Sequence, residues 1–240
     1  MSLPSLARRI DGLGAEVLAC GLKCHGITRT PQGGRPPRGL YLEDGEGLDG
    51  VILCGLNPGN APDPEMKDFR KAHRNNDLSY PYLRAYWESD LRQKRYFKLA
   101  RAVIRALGFP GPILWTNVAK CEATRGSRIG FATHPETFRC CAGKHLVPEV
   151  EACPKSWPVI ANGKDAFVAV SYLFPDRLVI GIPHSTGAPS PFSKLFSRPG
   201  VLRPQIRRKV LKYMETNPQG ALWLGGETEV GKRGPGTQVP

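Results

Sequence analysis

Acidic residues are scarce in this chain: 21 Asp and Glu stand against 34 Lys and Arg, for a formal charge of +13 and a pI near 9.7. Such an imbalance argues against a cationic partner and favours an anionic one. A phosphate backbone is the commonest of these, because each neutralised phosphate releases counterions. Long apolar runs are also missing. No stretch reaches the roughly 18 uninterrupted apolar residues of a membrane helix, so no helical span is expected. The opening Met1-Ser2-Leu3-Pro4 lacks the basic-then-apolar pattern of a secretory signal, which makes the cytoplasm the expected compartment. No internal repeat is visible, which sets aside solenoids and propellers. The seven cysteines are an odd number in a chain of that compartment, so they do not form a disulfide framework; they are buried small apolar residues or metal ligands.

What is present is enough for a core: 40% of the 240 residues are hydrophobic. That suits one α/β domain over residues 1–216, with a Gly- and Pro-rich tail, 217–240, expected to be flexible. Leu6, Ile10, Leu13, Val17 and Leu18 recur at helical spacing and predict a first helix over residues 5–20. Prolines and glycines make residues 28–39 a loop. Short apolar runs at Val51–Cys54, Ile113–Val118, Val159–Gly163 and Leu178–Ile182 predict four buried strands. Residues 62–95 are a polar, partly helical insertion. Helices are expected over Tyr96–Leu107, from Thr133-His134-Pro135-Glu136 past Cys141, over Lys164–Leu173, from Ser190 and over Gln205–Glu215. Strands alternating with helices predict a three-layer α/β/α fold around a mostly parallel, four-stranded sheet.

Ligands of such sheets bind beyond the carboxyl ends of the strands. Three short segments fall there. Gly55-Leu56-Asn57-Pro58-Gly59 presents an asparagine on a stiff loop, since Pro58 keeps Asn57 extended. His184-Ser185-Thr186-Gly187 puts a histidine directly after a buried strand, a position suited to hydrogen bonding or proton chemistry. Thr116-Asn117-Val118-Ala119-Lys120-Cys121 places another asparagine at a strand end. Taken singly, each is an ordinary turn; together, and in this order, they converge on one sheet edge.

The first two segments resemble motifs A and B of the uracil-DNA glycosylase superfamily, with Ser185 where the second loop usually has proline. The third resembles the Thr-Asn-Val-Val-Lys-Cys segment of its iron–sulfur members, families 4 and 5. The likeness runs from about Cys20 to Phe196. It implies a DNA-repair enzyme that flips uracil or a related deaminated base out of DNA and hydrolyses its N-glycosidic bond. Such a protein would be a monomer, associated with the nucleoid through its DNA. A different lesion, hypoxanthine or mismatched thymine, or DNA binding without catalysis, are the other readings.

The resemblance also implies roles. Asn57 would position the attacking water, and His184 would donate to the uracil O2. Asn117 would read the base edge, with Gly55 and Leu56 offering backbone contacts. Among the aromatics after the first loop, Phe69, Tyr80 and Tyr82 are candidates to stack on the base, although core packing is the ordinary role of each. Segment Ala188–Phe192 would enter the minor groove. Ser185, Ser190 and Lys194 would meet phosphates, as would Arg125 and Arg128 on a separate loop. A [4Fe–4S] cluster would be held by Cys20, Cys24, Cys121 and Cys141, with Cys140 the alternative fourth ligand and zinc the alternative metal. Cys20 and Cys24 are separated by Gly21, Leu22 and Lys23, one residue more than the family's Cys-x-x-Cys. Cys54 and Cys153 read as structural.

Overall fold

The computed structural model describes residues 2–24, 26–124, 136, 138–186, 188–198 and 200–225. Its centre is a six-stranded sheet rather than a four-stranded one, in the order Ala221–Trp223, Val179–Ile182, Val159–Asn162, Val51–Gly55, Ile113–Asn117, Tyr41–Glu43. The expected strands are β3 (Val51–Gly55), β4 (Ile113–Asn117), β6 (Val159–Asn162) and β7 (Val179–Ile182), all mutually parallel where they pair. The two additional strands close the edges. β2 (Tyr41–Glu43) pairs antiparallel with β4, and β10 (Ala221–Trp223) pairs parallel with β7.

β10 corrects the expectation of a flexible tail from residue 217. Val179 donates to the Gly220 carbonyl and Leu224 to that of Gly181, both at 2.8 Å, so the segment is stitched to the sheet. Residues 226–240 lie outside the described residues. At the other edge, Glu43 of β2 is buried. It accepts a two-point ion pair from Arg101 (2.6 and 2.8 Å) and a hydrogen bond from the Trp115 indole (2.8 Å).

Strand residues alternate between two cores because successive side chains point to opposite faces. Ile52, Cys54, Leu114, Val159, Ala161 and Val179 face one layer. That layer holds α1 (Leu3–Leu18), a π-helix (Phe138–Leu146), α5 (Val147–Ala152) and α6 (Lys164–Leu173). Val51, Leu53, Ile113, Trp115, Ile160 and Ile180 face the other. There they meet α3 (Tyr80–Ser89), α4 (Arg95–Ala106), α7 (Pro189–Ser193) and α8 (Pro204–Thr216). The three-layer α/β/α architecture follows.

The polar insertion is ordered by its own local chemistry. α2 (Asp63–Arg74) has Asp63 and Glu65 in its first turn and Lys71, His73 and Arg74 in its last, complementing the helix dipole. α3 is capped by Ser79, whose hydroxyl accepts from the Tyr82 amide at 3.4 Å. A two-point pair from Arg84 to Asp11 ties α3 to α1. The expected helix start at Thr133–Pro135 lies outside the described residues; the chain beyond it runs as the π-helix into α5. Around the sheet lie two-residue ladders, β1 (Ile27–Thr28) with β5 (Glu122–Ala123), and β8 (Phe196–Arg198) with β9 (Val201–Leu202). β1 lies at the start of the expected 28–39 loop.

Candidate active site

Four strand ends share one edge of the sheet. Gly55, ending β3, pairs with Asn117, ending β4. Asn162, ending β6, pairs with Ile182, ending β7, and His184 follows just beyond. A cavity of about 460 Å³ opens there, with Asn57, Asn117 and His184 all on its wall. Small-molecule sites commonly fall between about 300 and 1,000 Å³. The parallel register is what gathers residues so distant in sequence.

Asn117 is held from two sides, with its amide facing the cavity. Its amide nitrogen donates to the Gly39 carbonyl at 3.4 Å. A side chain on Gly39, whose φ is +98°, would come within 2.3 Å of that nitrogen. One on Gly55 would come within 2.6 Å of the amide oxygen and 3.1 Å of the Tyr96 hydroxyl. Both positions therefore need glycine to let the amide lie between them. Gly55 thus acts by leaving room. Leu56 is half-buried against the core and is not a cavity residue; its carbonyl accepts from the Ala119 amide at 2.9 Å.

Behind Asn117 lies a fully buried ion pair. The Lys120 ammonium donates to Glu149 Oε2 (2.5 Å), Thr116 Oγ1 (2.6 Å) and the Asn117 carbonyl (2.7 Å). Glu149 also accepts from the Thr116 hydroxyl at 2.5 Å. Burial pushes the Glu149 carboxyl above the usual range, opposed by Lys120 and these hydrogen bonds.

The Asn57 amide donates to the Pro58 carbonyl at 2.7 Å, which leaves its carbonyl oxygen the acceptor on that side chain. The far end of the loop is clamped by buried charge. Arg38 donates to the Gly59 carbonyl (2.8 Å) and to Glu122 (2.9 Å), and it pairs with Glu65 of α2. Glu122 also accepts from the Ala61 amide at 3.0 Å. Arg38 and Glu65 line the cavity, so the insertion forms part of its wall.

Two features favour the neutral form of His184. Burial holds its pKa below the ordinary value. The Thr186 amide donates to Nδ1 at 3.3 Å, which makes Nδ1 the acceptor and places the ring proton on Nε2.

The aromatics on the wall are not the expected ones. Phe69 is fully buried against Tyr82, Tyr86 and Arg38. Tyr80 is buried too, and its hydroxyl donates to the Leu40 carbonyl at 2.9 Å. Neither lines the cavity: the insertion helices need these rings for their own core. Tyr41, Tyr96, Phe97 and Trp115 line it instead. Tyr96 and Phe97 open α4 at the sheet edge, where their helical spacing reads only as core.

Ser185 does not meet solvent. It is 1% exposed and turned inward onto Asn162. Ser190 and Lys194 are exposed, beyond His184 and off the cavity wall. In the Ala188–Phe192 segment Pro189, Ser190 and Pro191 are exposed, but Phe192 is a core residue and does not project. Arg125 and Arg128 lie outside the described residues.

The cysteines expected as ligands influence one another electrostatically. Burial, then Cys141, Cys140 and Cys20, push the Cys24 thiol up to about 11. Burial, then Cys141, Cys20 and Cys24, push Cys121 up to about 12. Burial also raises Cys141, whose sulfur accepts from the Lys120 amide at 3.3 Å. Cys141 is buried while Cys140 is half-buried. Cys54 is buried inside β3, and Cys153 is buried with its thiol on the Glu149 carbonyl at 3.7 Å, both as structural residues would be. Among the described residues, no three His, Cys, Asp or Glu side chains are close enough to share one ion. Cys141 lies in the π-helix, a rare form that is frequent at functional sites.

No helix among the described residues is long and apolar enough to cross a membrane. Compared with known proteins, the chain significantly matches no family model, no curated protein and no solved structure.

Proposed function

We propose that the chain is a monofunctional DNA glycosylase that takes uracil, or a related deaminated base, into this cavity and hydrolyses its N-glycosidic bond. The observation that carries the reading is the convergence of Asn57, Asn117 and His184, from three different strand ends, on one cavity wall.

In this reading a water held by the Asn57 carbonyl oxygen adds to C1′ of the sugar as the C1′–N bond breaks. The bonding electrons leave with the base, and the water's proton passes to solvent. Asparagine does not ionise, so it orients the water and is not a strong base. His184, neutral with its proton on Nε2, donates to the base oxygen on which negative charge grows, and acts more strongly in the transition state than on the bound base. The Asn117 amide offers a carbonyl and an N–H, complementing the N–H and C=O of a uracil edge. Phe97, half-buried on the wall, supplies the stacking face. The net charge of +13 suits a phosphate backbone, and exposed Lys94 at the cavity, with Ser190 and Lys194 beyond it, suits contact with that backbone.

The test is base release from oligonucleotides carrying uracil, hypoxanthine, or thymine opposite guanine. Free uracil and an abasic site are expected. Release of another base alone reassigns the substrate, and salt-sensitive DNA binding with no release from any of them removes the catalytic reading.

The same reading places a [4Fe–4S] cluster on Cys20, Cys24, Cys121 and Cys141. The residues fit. Four thiolates are the donor set such a cluster takes, and Cys24 and Cys121 each feel Cys141 and Cys20 electrostatically, as ligands of one group would. Burial disfavours the thiolates of Cys24, Cys121 and Cys141, and cationic iron would reverse that preference. The Lys120 amide on Cys141 is the kind of N–H···S bond that tunes cluster sulfurs. When bound, the cluster supplies a cross-link that fastens the end of α1 and the loop after it to the π-helix. Protein purified without oxygen is expected to be brown, with iron and acid-labile sulfide in equal amounts, both lost in Cys121→Ser. Stoichiometric zinc without iron would refute the assignment.

A further inference from the structure

We propose that Asn162 and Tyr96 are positioning residues that together fix the His184 ring; the inference rests on the function proposed above. Asn162, at the end of β6, is fully buried, and its amide is spent on the histidine loop. Its oxygen accepts from the Ser185 backbone amide at 3.0 Å, and its nitrogen donates to the Ser185 hydroxyl at 3.2 Å. Both bonds fall on the residue directly after His184, so one side chain sets the direction in which the loop leaves β7. This is why Ser185 faces inward.

Tyr96 grips the same loop from the opposite layer. Its ring lies against the His184 imidazole, with centroids 5.7 Å apart and planes at 45°. Its hydroxyl interacts with the Asn162 side chain and sits beside the space left by Gly55. Asn162 and Tyr96 thus form a bracket. One arm holds the backbone after the histidine, the other covers the ring, and the two arms touch. A fully buried amide bonded twice to one loop, and a half-buried phenol ring laid against the histidine of the same loop, are a costly way to make a turn. The arrangement serves to keep the imidazole in a single pose, and a misplacement of about 1 Å at a reacting group costs about 100-fold in rate.

The test uses Asn162→Ala, Asn162→Asp and Tyr96→Phe in the full chain. Asn162→Asp keeps the acceptor for Ser185 but loses the donor. Tyr96→Phe keeps the ring but loses the hydroxyl, and is the variant expected to fold without difficulty. The first readout is the ring nitrogen-15 spectrum, in which His184 is identified among the five histidines by its absence in His184→Gln. The parent is expected to show one tautomer with the proton on Nε2, and the bracket variants a mixture of both. The second readout is base release, where kcat is expected to fall about 10- to 100-fold with KM little changed. An unaltered ring spectrum and parental kcat in both Tyr96→Phe and Asn162→Asp would overturn the bracket. The ring spectrum does not depend on catalysis. If the parent releases no base, the proposed function fails while the bracket is still judged, on tautomer alone.

Discussion

Replacing His184 by alanine is expected to slow base release by about 100- to 1,000-fold in a single-turnover assay on uracil-containing DNA, the usual cost of one donor aimed at developing negative charge. The loss should appear in kcat, because the departing base carries its charge only as the bond breaks. A glutamine at the same position places an amide N–H near the Nε2 site and should recover part of the rate. Replacing Asn57 by alanine removes the carbonyl that orients the water and should cost a similar factor. The double variant should fall short of the product of the two, since groups serving one transition state are not independent. His184 is held neutral by burial and by the Thr186 amide on Nδ1, so the rate should not decline from neutral pH upward through loss of a histidine proton. Full activity in both single variants would place the chemistry elsewhere in the molecule.

The second large effect is on stability. Lys120→Met is expected to destabilise the fold by about 3–5 kcal/mol, because it strands the Glu149 carboxylate in the core without its cation. Both side chains are essentially without solvent exposure, at 1% and 0%, so no water replaces the lost partner. The damage should far exceed that of breaking an exposed pair such as Lys155 with Asp176, where water takes the place of the lost partner. Lys120→Met combined with Glu149→Leu should recover much of the loss, since the pair is then replaced by apolar packing and only Thr116 and the Asn117 carbonyl lose a bond. Denaturant midpoints of the parent, single and double variants, each with iron content recorded, decide it. A single variant as stable as the parent would mean that Glu149 is neutral in the folded protein.

Much of the architecture is legible in the pattern of apolar residues. α6 begins and ends at Lys164 and Leu173, where glycine and periodicity place it, and the four apolar runs are the four inner strands. Long, strongly patterned segments announce themselves because local and tertiary preference agree. β2 and β10 did not. Three residues give no period, and Ala221–Trp223 sits in a glycine- and proline-rich stretch whose only reason to extend is the open edge of β7. At the site, Asn57, Asn117 and His184 were legible because each follows an apolar run and ends at a strand terminus. The aromatics were not. Phe69 and Tyr80 follow the first loop in sequence, but α2 and α3 bury them against Arg38 and Leu40, while Phe97 reaches the cavity from the first turn of α4. Ser185 illustrates the opposite error: a polar residue on a loop looks available until Asn162 is seen to bind it twice. The one sequence signal for that pairing was an asparagine closing a buried strand just before a glycine.

The short edge strands have a further meaning. The long parallel strands of the interior, Val51–Gly55 and Val159–Asn162 among them, are fully hydrogen-bonded neighbours with apolar side chains on both faces. Left at a margin, such strands would template the addition of another chain. The molecule ends its sheet with three-residue segments instead, one of them pinned through Glu43 to an arginine and a tryptophan. The sheet is therefore self-terminating: its sides give a foreign strand almost nothing to extend, and its reactive edge is the one across the strand ends, where the cavity lies.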